Sequence, residues 1–187
     1  MVEHDLAKVG VEGSNPFARS RLLIFNAGCC TQVLRVAIRL ALFWRGNGAA
    51  MAYWLIKSEP GKWSWQQQLA AGPQGTFWNG VRNYSARLSL MAMQLGEKAF
   101  FYHSNDGRAV VGIVEIVKLY YPDPSDDSGR FGMVDVAADR ALPQAVTLDA
   151  IKAEPSLAKM VLVNNSRLSV QPVTPGEWAV VCAMGGL

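Results

Sequence analysis

Hydrophobic and polar positions first form a clear pattern at residues 53–58, YWLIKS, where aromatic and branched side chains follow one another with few breakers. This run predicts a buried strand that ends in a turn beginning at Glu59. Ser64, with Gln67 three residues later, has the spacing of a capping box. The pair therefore predicts a helix over about residues 65–71.

The next segment, TFWNGVRNY at residues 76–84, lacks periodicity and is predicted to be a loop that carries a large exposed aromatic side chain. A second helix is predicted over about residues 84–94. Its apolar positions Leu88, Met91 and Leu95 keep helical spacing, which is typical of one apolar helix face.

After the second helix the pattern changes to strands. Strands are predicted at residues 98–103, 109–119, 131–137 and 168–173, a polar loop at 121–129, and short helices at 147–152 and after Thr174. Asp106 and Gly107 predict a hairpin between the first two of these strands, and Gly112 predicts a bulge or bend. About five strands with short helices predict an α+β fold around a small, curved mixed sheet or barrel.

Residues 1–50 show no strand alternation. They do not fit a secretory signal either, because Glu3 and Asp5 lie where the positively charged start of such a signal should be. The codons for GSNP at residues 13–16 can match the T-arm of a transfer RNA gene. We therefore expect residues 1–50 to be a non-native extension translated from upstream DNA, with the true start at Met51. A disordered N-terminal arm is the alternative, and sequencing of the native N-terminus distinguishes the two.

A chain of 187 residues, half of them apolar and 18% charged, has room for a buried core and excludes wholesale disorder. The longest apolar candidate for a membrane span, residues 33–44, is too short and contains two arginines. The cysteines Cys29, Cys30 and Cys182 lack the spacing of a disulfide framework or zinc site. They predict a reducing, cytoplasmic setting.

The formal net charge of +3 arises within residues 1–50, because residues 51–187 hold 12 basic and 12 acidic side chains. Within the second part, however, residues 51–87 carry four basic side chains against Glu59 alone. This asymmetry predicts an anion-facing patch, with scattered solvated charges as the alternative.

The reactive side chains of residues 51–187 argue against an enzyme. His103 and Cys182 are the only histidine and cysteine there, and a nucleophilic pair is disfavoured because Cys182 lies in a predicted apolar helix. The sequence has no zinc-ligand spacing and no phosphate-binding glycine loop, so we predict neither a metal nor a cofactor. Three aspartates at residues 123–127 are expected to form a solvated acidic turn rather than a cation site.

Trp78 lies beside Asn79 and Gly80 in the predicted loop rather than at a periodic core position. A flat indole flanked by amide and hydroxyl groups offers a planar heterocycle a stacking face and hydrogen bonds to its edge. The alternative is a tryptophan that plugs the end of a barrel. The spacing alone leaves both interpretations open.

Residues 51–187 carry, in order, the motifs YWLIKSEP, WNGVRNYSAR, FYHS, VGIVEI, YPDP, MVDV and RLSVQPVTPGEW. Together these motifs resemble the EVE domain family over essentially all of this segment. The resemblance implies a PUA-like fold, which is a small curved mixed β-barrel with short flanking helices. The family is related to the YTH domains. It also implies binding of a modified base in DNA or RNA through an aromatic-lined pocket.

The resemblance also implies individual site residues. Trp78 would stack on the base as one wall of the pocket, and Phe131 is the nearest candidate for a second wall. The other base-binding residues that it implies are Lys57, Ser58, Glu59, Asn79, Asn83, Tyr84, Tyr102, His103 and Ser104. Arg82 and Arg87, near the start of the second helix, would contact phosphate.

The sequence and the resemblance together predict a cytoplasmic, monomeric, non-enzymatic module that binds nucleic acid carrying a modified base and does not contact a membrane. A general RNA-binding PUA-like domain without preference for modification is one alternative. The other is a hydrolase acting on modified nucleosides, which is disfavoured because no paired Lys, Glu or Cys constellation has an identifiable spacing.

Overall fold

The computed structural model describes residues 51–187, and the expectation for residues 1–50 lies outside the described residues. The strands are β1 (Tyr53–Ser58), β2 (Thr76–Trp78), β3 (Lys98–His103), β4 (Ala109–Pro122), β5 (Gly132–Thr147) and β6 (Val170–Val173). The helices are α1 (Trp65–Ala70), α2 (Tyr84–Ala92), α3 (Leu148–Ala153), α4 (Val161–Asn164) and α5 (Pro175–Met184), with a 3-10 turn at Pro155–Leu157. The predicted α+β class is confirmed.

The strands form one sheet of six strands in the order β2-β5-β4-β3-β1-β6. β1 and β3 run parallel and the other neighbours run antiparallel, so the sheet is mixed as predicted. β2 and β6 are its edge strands, and within residues 51–187 no hydrogen-bonded pairing joins them. Closure of the sheet into a barrel therefore stays a prediction.

The local signals at the helix starts and at the bulge are confirmed. Ser64 and Gln67 form both hydrogen bonds of the capping box, and Thr174 and Glu177 repeat the arrangement at α5. The pairing of β4 with β5 shifts register beside Gly112. A Cβ atom at this position would lie 2.4 Å from the Trp65 ring, so the glycine lets that indole lie directly on the sheet.

Two strand predictions are corrected by backbone pairing. Residues 76–78 are the strand β2 rather than a loop, because they pair with residues 134–136 of β5. β5 itself extends ten residues beyond the predicted end at residue 137, as far as Thr147. Its second half is largely exposed, but it pairs with β4 as far as the pairing of Ala109 with Thr147. The strand continues there through its hydrogen bonds, which a hydrophobic pattern does not show.

The apolar face of α2 is also corrected. Leu88 is 65% exposed, and Met91 and Leu95 are exposed as well. The buried side of this helix carries Ala86 and Leu90, which pack into the core. Two apolar stripes with helical spacing compete in this sequence, and contact with the sheet buries the second one.

The buried side chains form two clusters on opposite faces of the sheet. Along β1, Trp54 and Ile56 belong to the first cluster and Leu55 to the second, as expected from the alternation of side chains in a strand. β3 divides in the same way, with Phe101 in the first cluster and Tyr102 in the second. No helix within residues 51–187 has the length and the apolar character needed to cross a membrane.

Candidate functional site

A cleft of about 660 Å³ opens between the two edges of the sheet. Thr76–Trp78 in β2 line it from one edge, and residues 166–169, which lead into β6, contribute three lining side chains from the other. The end of β1 adds Ser58, and the hairpin after β3 adds Ser104. The sheet is therefore curved enough that β2 and the segment leading into β6 border one cleft.

Three aromatic residues line the cleft: Trp63, Phe77 and Trp78. Trp78 is 8% exposed and packs edge-on against Phe101, with 5.6 Å between the ring centroids. It is thus both a core residue and part of the cleft wall, so neither of the two interpretations of this tryptophan describes it alone. Its position in a strand corrects the prediction of a loop.

Trp63 is held in place by a chain of hydrogen bonds. Its indole N–H donates to the Gln68 Oε1 at 2.9 Å, and the Gln68 side-chain amide donates to the Val136 carbonyl of β5 at 2.9 Å. Gln68 is fully buried, so both bonds lie in an environment where an unpaired amide would be costly. The Ser58 hydroxyl also donates to the Trp63 carbonyl at 2.7 Å. These hydrogen bonds fix Trp63 relative to the sheet.

Phe131, the predicted second wall, does not line the cleft. Its ring packs against Tyr84 at 5.2 Å between centroids, beside the Arg82 guanidinium at 5.8 Å. The aromatic residues that line the cleft together with Trp78 are Trp63 and Phe77.

Five of the other predicted base-binding residues line the cleft, and these are Lys57, Ser58, Glu59, Asn79 and Ser104. Their hydroxyl and amide groups can both donate and accept hydrogen bonds, and the carboxylate can accept them. The cleft therefore combines aromatic surfaces with polar groups able to bond the edge of a planar ligand.

Four predicted base-binding residues lie elsewhere. The Asn83 side chain caps α2 by accepting from the Ala86 N–H at 3.1 Å, and Tyr84 is exposed on the same helix. The Tyr102 side chain belongs to the core cluster on the opposite face of the sheet. The His103 Nε2 accepts from the Trp65 N–H at 3.1 Å, and burial lowers the pKa of this histidine. Their role in base binding stays a prediction that this geometry does not favour.

The loop from Trp78 to α2 is anchored by Asp123. This residue was predicted to lie in a solvated turn, but its side chain is buried. One oxygen of its carboxylate accepts from the Gly80 N–H at 3.0 Å and from Arg82 at 2.7 Å, and the other accepts from Ser125. Burial alone would raise the pKa of Asp123, but these hydrogen bonds outweigh it and hold the pKa well below its usual range. The carboxylate therefore stays charged and fixes this wall of the cleft.

The two arginines predicted to contact phosphate are engaged within the protein. Arg82 pairs with Asp123 and donates to the Ser125 carbonyl at 2.9 Å, and Arg87 donates to the Tyr120 hydroxyl at 3.2 Å. Neither lines the cleft. Their contact with phosphate stays a prediction.

Basic side chains do lie at the cleft, and they are Lys57, Lys62 and Arg167. The Lys57 ammonium donates to the Ser166 carbonyl at 3.0 Å, and burial lowers its pKa to about 8. Lys62 pairs with Glu59 at 2.9 Å, and Arg167 is exposed. Within residues 51–187 no group of three or more His, Cys, Asp or Glu side chains could hold a metal ion.

Trp63, Phe77 and Arg167 were not predicted from the sequence, and Lys62 was included only as one of the four basic side chains of the predicted anion-facing patch. The concentration of tryptophans within residues 54–78 was a usable signal for Trp63. Arg167 had no local signal, because its place depends on how the sheet brings residues 166–169 to the same cleft as β2.

Comparison with known proteins relates the chain to one family. The model of the EVE domain matches residues 52–184. Thymocyte nuclear protein 1 from Homo sapiens is 37% identical over 165 residues, covering 71% of this chain and 73% of that protein. A crystal structure from Agrobacterium tumefaciens is 53% identical, with a TM-score of 0.70, covering 73% of this chain and 94% of that one. Human THYN1, solved in complex with DNA containing 5-methylcytosine, is 36% identical, with a TM-score of 0.67, covering 73% of this chain and 98% of that one.

Proposed function

The chain belongs to the EVE domain family, and from that premise we propose that it binds DNA by holding a 5-methylcytosine base in the cleft. The observation that carries the proposal is the lining of the cleft, where Trp63, Phe77 and Trp78 lie beside basic side chains. The human THYN1 complex with DNA containing 5-methylcytosine supports this choice of base and polymer. In this account the module binds and does not catalyse.

Two kinds of contact would recognise the base, which are stacking on an aromatic ring and hydrogen bonds to its polar edge. An aromatic ring beside a base contributes about 1–3 kcal/mol whatever the base is. The Asn79 amide presents both a donor and an acceptor, and the Ser58 and Ser104 hydroxyls supply further bonds to the polar edge of cytosine. The methyl group then adds apolar contact worth about 0.8 kcal/mol, which corresponds to a preference of roughly fourfold.

The proposal is tested by titrating the full chain with oligonucleotides that differ in a single cytosine methyl group. The set contains matched DNA and RNA strands of one sequence. We expect methylated DNA to bind about two- to tenfold more tightly than unmethylated DNA. Equal affinity for both DNAs would contradict the proposal, and equal binding of unmodified RNA would favour the general RNA-binding alternative.

Arg167→Ala is expected to weaken DNA binding by a similar factor with and without the methyl group. The exposed guanidinium lies at the cleft, where it can contact phosphate, and phosphate contacts carry no information about the base. Losing one such contact should reduce the salt dependence of binding by roughly one ion. The measurement is a set of titrations at several salt concentrations.

Lys159→Ala is the matched control, because Lys159 is exposed and does not line the cleft. It should leave both the affinity and the salt dependence nearly unchanged. An Arg167 variant that behaves like this control would place the phosphate path elsewhere, and Arg82 and Arg87 would then be tested.

DNA binding is also expected to weaken between pH 7 and pH 9 because of Lys57. The pKa of this lysine in the folded chain is about 8, so the ammonium that attracts phosphate loses its proton within this interval. The effect of this lysine on folding has the opposite sign. Because burial lowers its pKa in the folded chain, the stability of the fold increases as the pH rises from the pKa of the folded chain towards the pKa of the unfolded chain. Loss of binding at high pH therefore cannot be attributed to loss of this lysine's contribution to folding.

Lys57→Arg separates this lysine from other titrating groups, because an arginine side chain remains charged throughout the interval. The variant should show a flatter pH profile than the wild-type chain in the same titrations. An unchanged decline in the variant would assign the pH dependence to another group.

A further inference from the structure

Phe77 is a largely exposed aromatic side chain in the edge strand β2. It is 56% exposed, while the next residue, Trp78, is buried. Both line the cleft, so Phe77 lies at its mouth and Trp78 lies inside it. Exposed positions of edge strands usually carry polar or charged residues, because an apolar side chain there invites aggregation. The fold therefore gives no reason for a phenylalanine at this position.

We propose that Phe77 is a wedge that enters duplex DNA where the modified base has left the stack. The inference rests on the proposed function, because it requires a base in the cleft. A base inside a duplex cannot reach Trp78 until it rotates out of the stack, which unstacks its neighbours. Apolar side chains, phenylalanine among them, insert between base steps that are opened in this way.

The spacing of the two aromatic residues fits a base stacked on Trp78 and a wedge at Phe77. Phe77 and Trp78 are consecutive in β2, so their Cα atoms are about 3.8 Å apart and their side chains point to opposite sides of the strand. A base stacked on Trp78 and the gap that it leaves in the duplex would thus face adjacent residues. β2 is an edge strand, so no further strand of the sheet covers Phe77.

Basic side chains around the mouth of the cleft suit a nucleic-acid partner. Lys62, in the segment after β1, and Arg167, in the segment before β6, line the same cleft, so they can contact phosphates near the opened step. A single strand needs no wedge, because its bases are already free to leave their neighbours. The wedge is therefore specific to the duplex, whereas the cleft itself is not.

The experiment measures the affinity of the full chain for one 5-methylcytosine sequence, once as a single strand and once as a duplex. Phe77→Ala should weaken duplex binding by roughly tenfold and single-strand binding by less than about twofold. Phe77→Leu should restore most of the duplex affinity, because leucine also serves as a wedge. Leu88→Ala is the matched control, since Leu88 is 65% exposed and lies outside the cleft.

A second readout reports the opened step directly. Fluorescence of 2-aminopurine placed beside the methylated cytosine rises when the base is unstacked. The wild-type chain should raise this signal, and Phe77→Ala should raise it less even at saturating protein. Melting curves of the variants check that the exposed position leaves the fold intact.

Each outcome decides between the possible roles of Phe77. Equal losses on single strand and duplex would make Phe77 a stacking wall and overturn the wedge, and so would no loss on either. A wild-type chain that does not distinguish methylated from unmethylated DNA in either form would instead overturn the proposed function. The wedge would then be excluded as well. Failure of the wedge alone, in contrast, would leave the preference for methylated DNA intact.

Discussion

Trp78→Ala is expected to weaken binding of methylated DNA by roughly 5- to 150-fold and to lower the free energy of unfolding by about 3–5 kcal/mol. Both effects follow from the position of this indole, which is 8% exposed in the core and also lines the cleft. Removing the ring deletes a stacking surface and leaves a cavity beside Phe101. Denaturant titration and DNA titration of the same samples measure the two losses.

Two variants separate binding from stability. Trp78→Phe keeps an aromatic surface and should retain part of the affinity while destabilising the fold less. Trp178→Ala removes a tryptophan that stacks on Phe100 in the other core cluster, 3.9 Å between centroids, so it should destabilise without weakening binding. Normal affinity of the folded Trp78→Ala chain for methylated DNA would exclude Trp78 from the base site.

Asp123→Ala is expected to lower the free energy of unfolding by about 2–4 kcal/mol and to weaken DNA binding. The substitution leaves the Gly80 N–H without its partner and releases Arg82, so the wall that carries Asn79 loses its anchor. Asp127→Ala is the matched control, because Asp127 is exposed in the same loop. Equal stability of both variants would show that the anchor contributes nothing.

The pH dependence of this effect has a definite sign. The pKa of Asp123 in the folded chain lies well below that of an unfolded aspartate, which is about 3.9. Its contribution to stability is therefore fully present above that unfolded value and is lost as the pH falls through the folded value. The difference in stability between the wild-type chain and Asp123→Ala should be constant from pH 5 to pH 8 and should shrink in stronger acid.

The features that the sequence predicted well depend on short-range chemistry. Capping boxes at Ser64 and Thr174 involve residues three positions apart, and the bend at Gly112 is marked by the residue that permits it. The motifs likewise predicted the family and five polar or charged residues of the cleft.

The features that were missed depend on contacts between distant parts of the chain. Phe131 was assigned to the pocket by the resemblance, as the nearest candidate for a second wall, but its ring packs against Tyr84 and does not line the cleft. Arg167 reaches the site because the sheet brings the segment before β6 to the same cleft as β2. Leu88 follows a valid helical period and is nevertheless exposed, since periodicity does not show which of two apolar stripes meets the sheet.

The location of the modified base is the central claim, and a photochemical cross-link tests it most directly. DNA in which 5-iodocytosine replaces 5-methylcytosine carries a light-sensitive atom at the position of the methyl group. After irradiation of the complex with the full chain, mass spectrometry identifies the attached residue. We expect attachment to Trp63, Phe77 or Trp78, and attachment to Tyr84 or Phe131 instead would show that the modified base does not lie in the cleft.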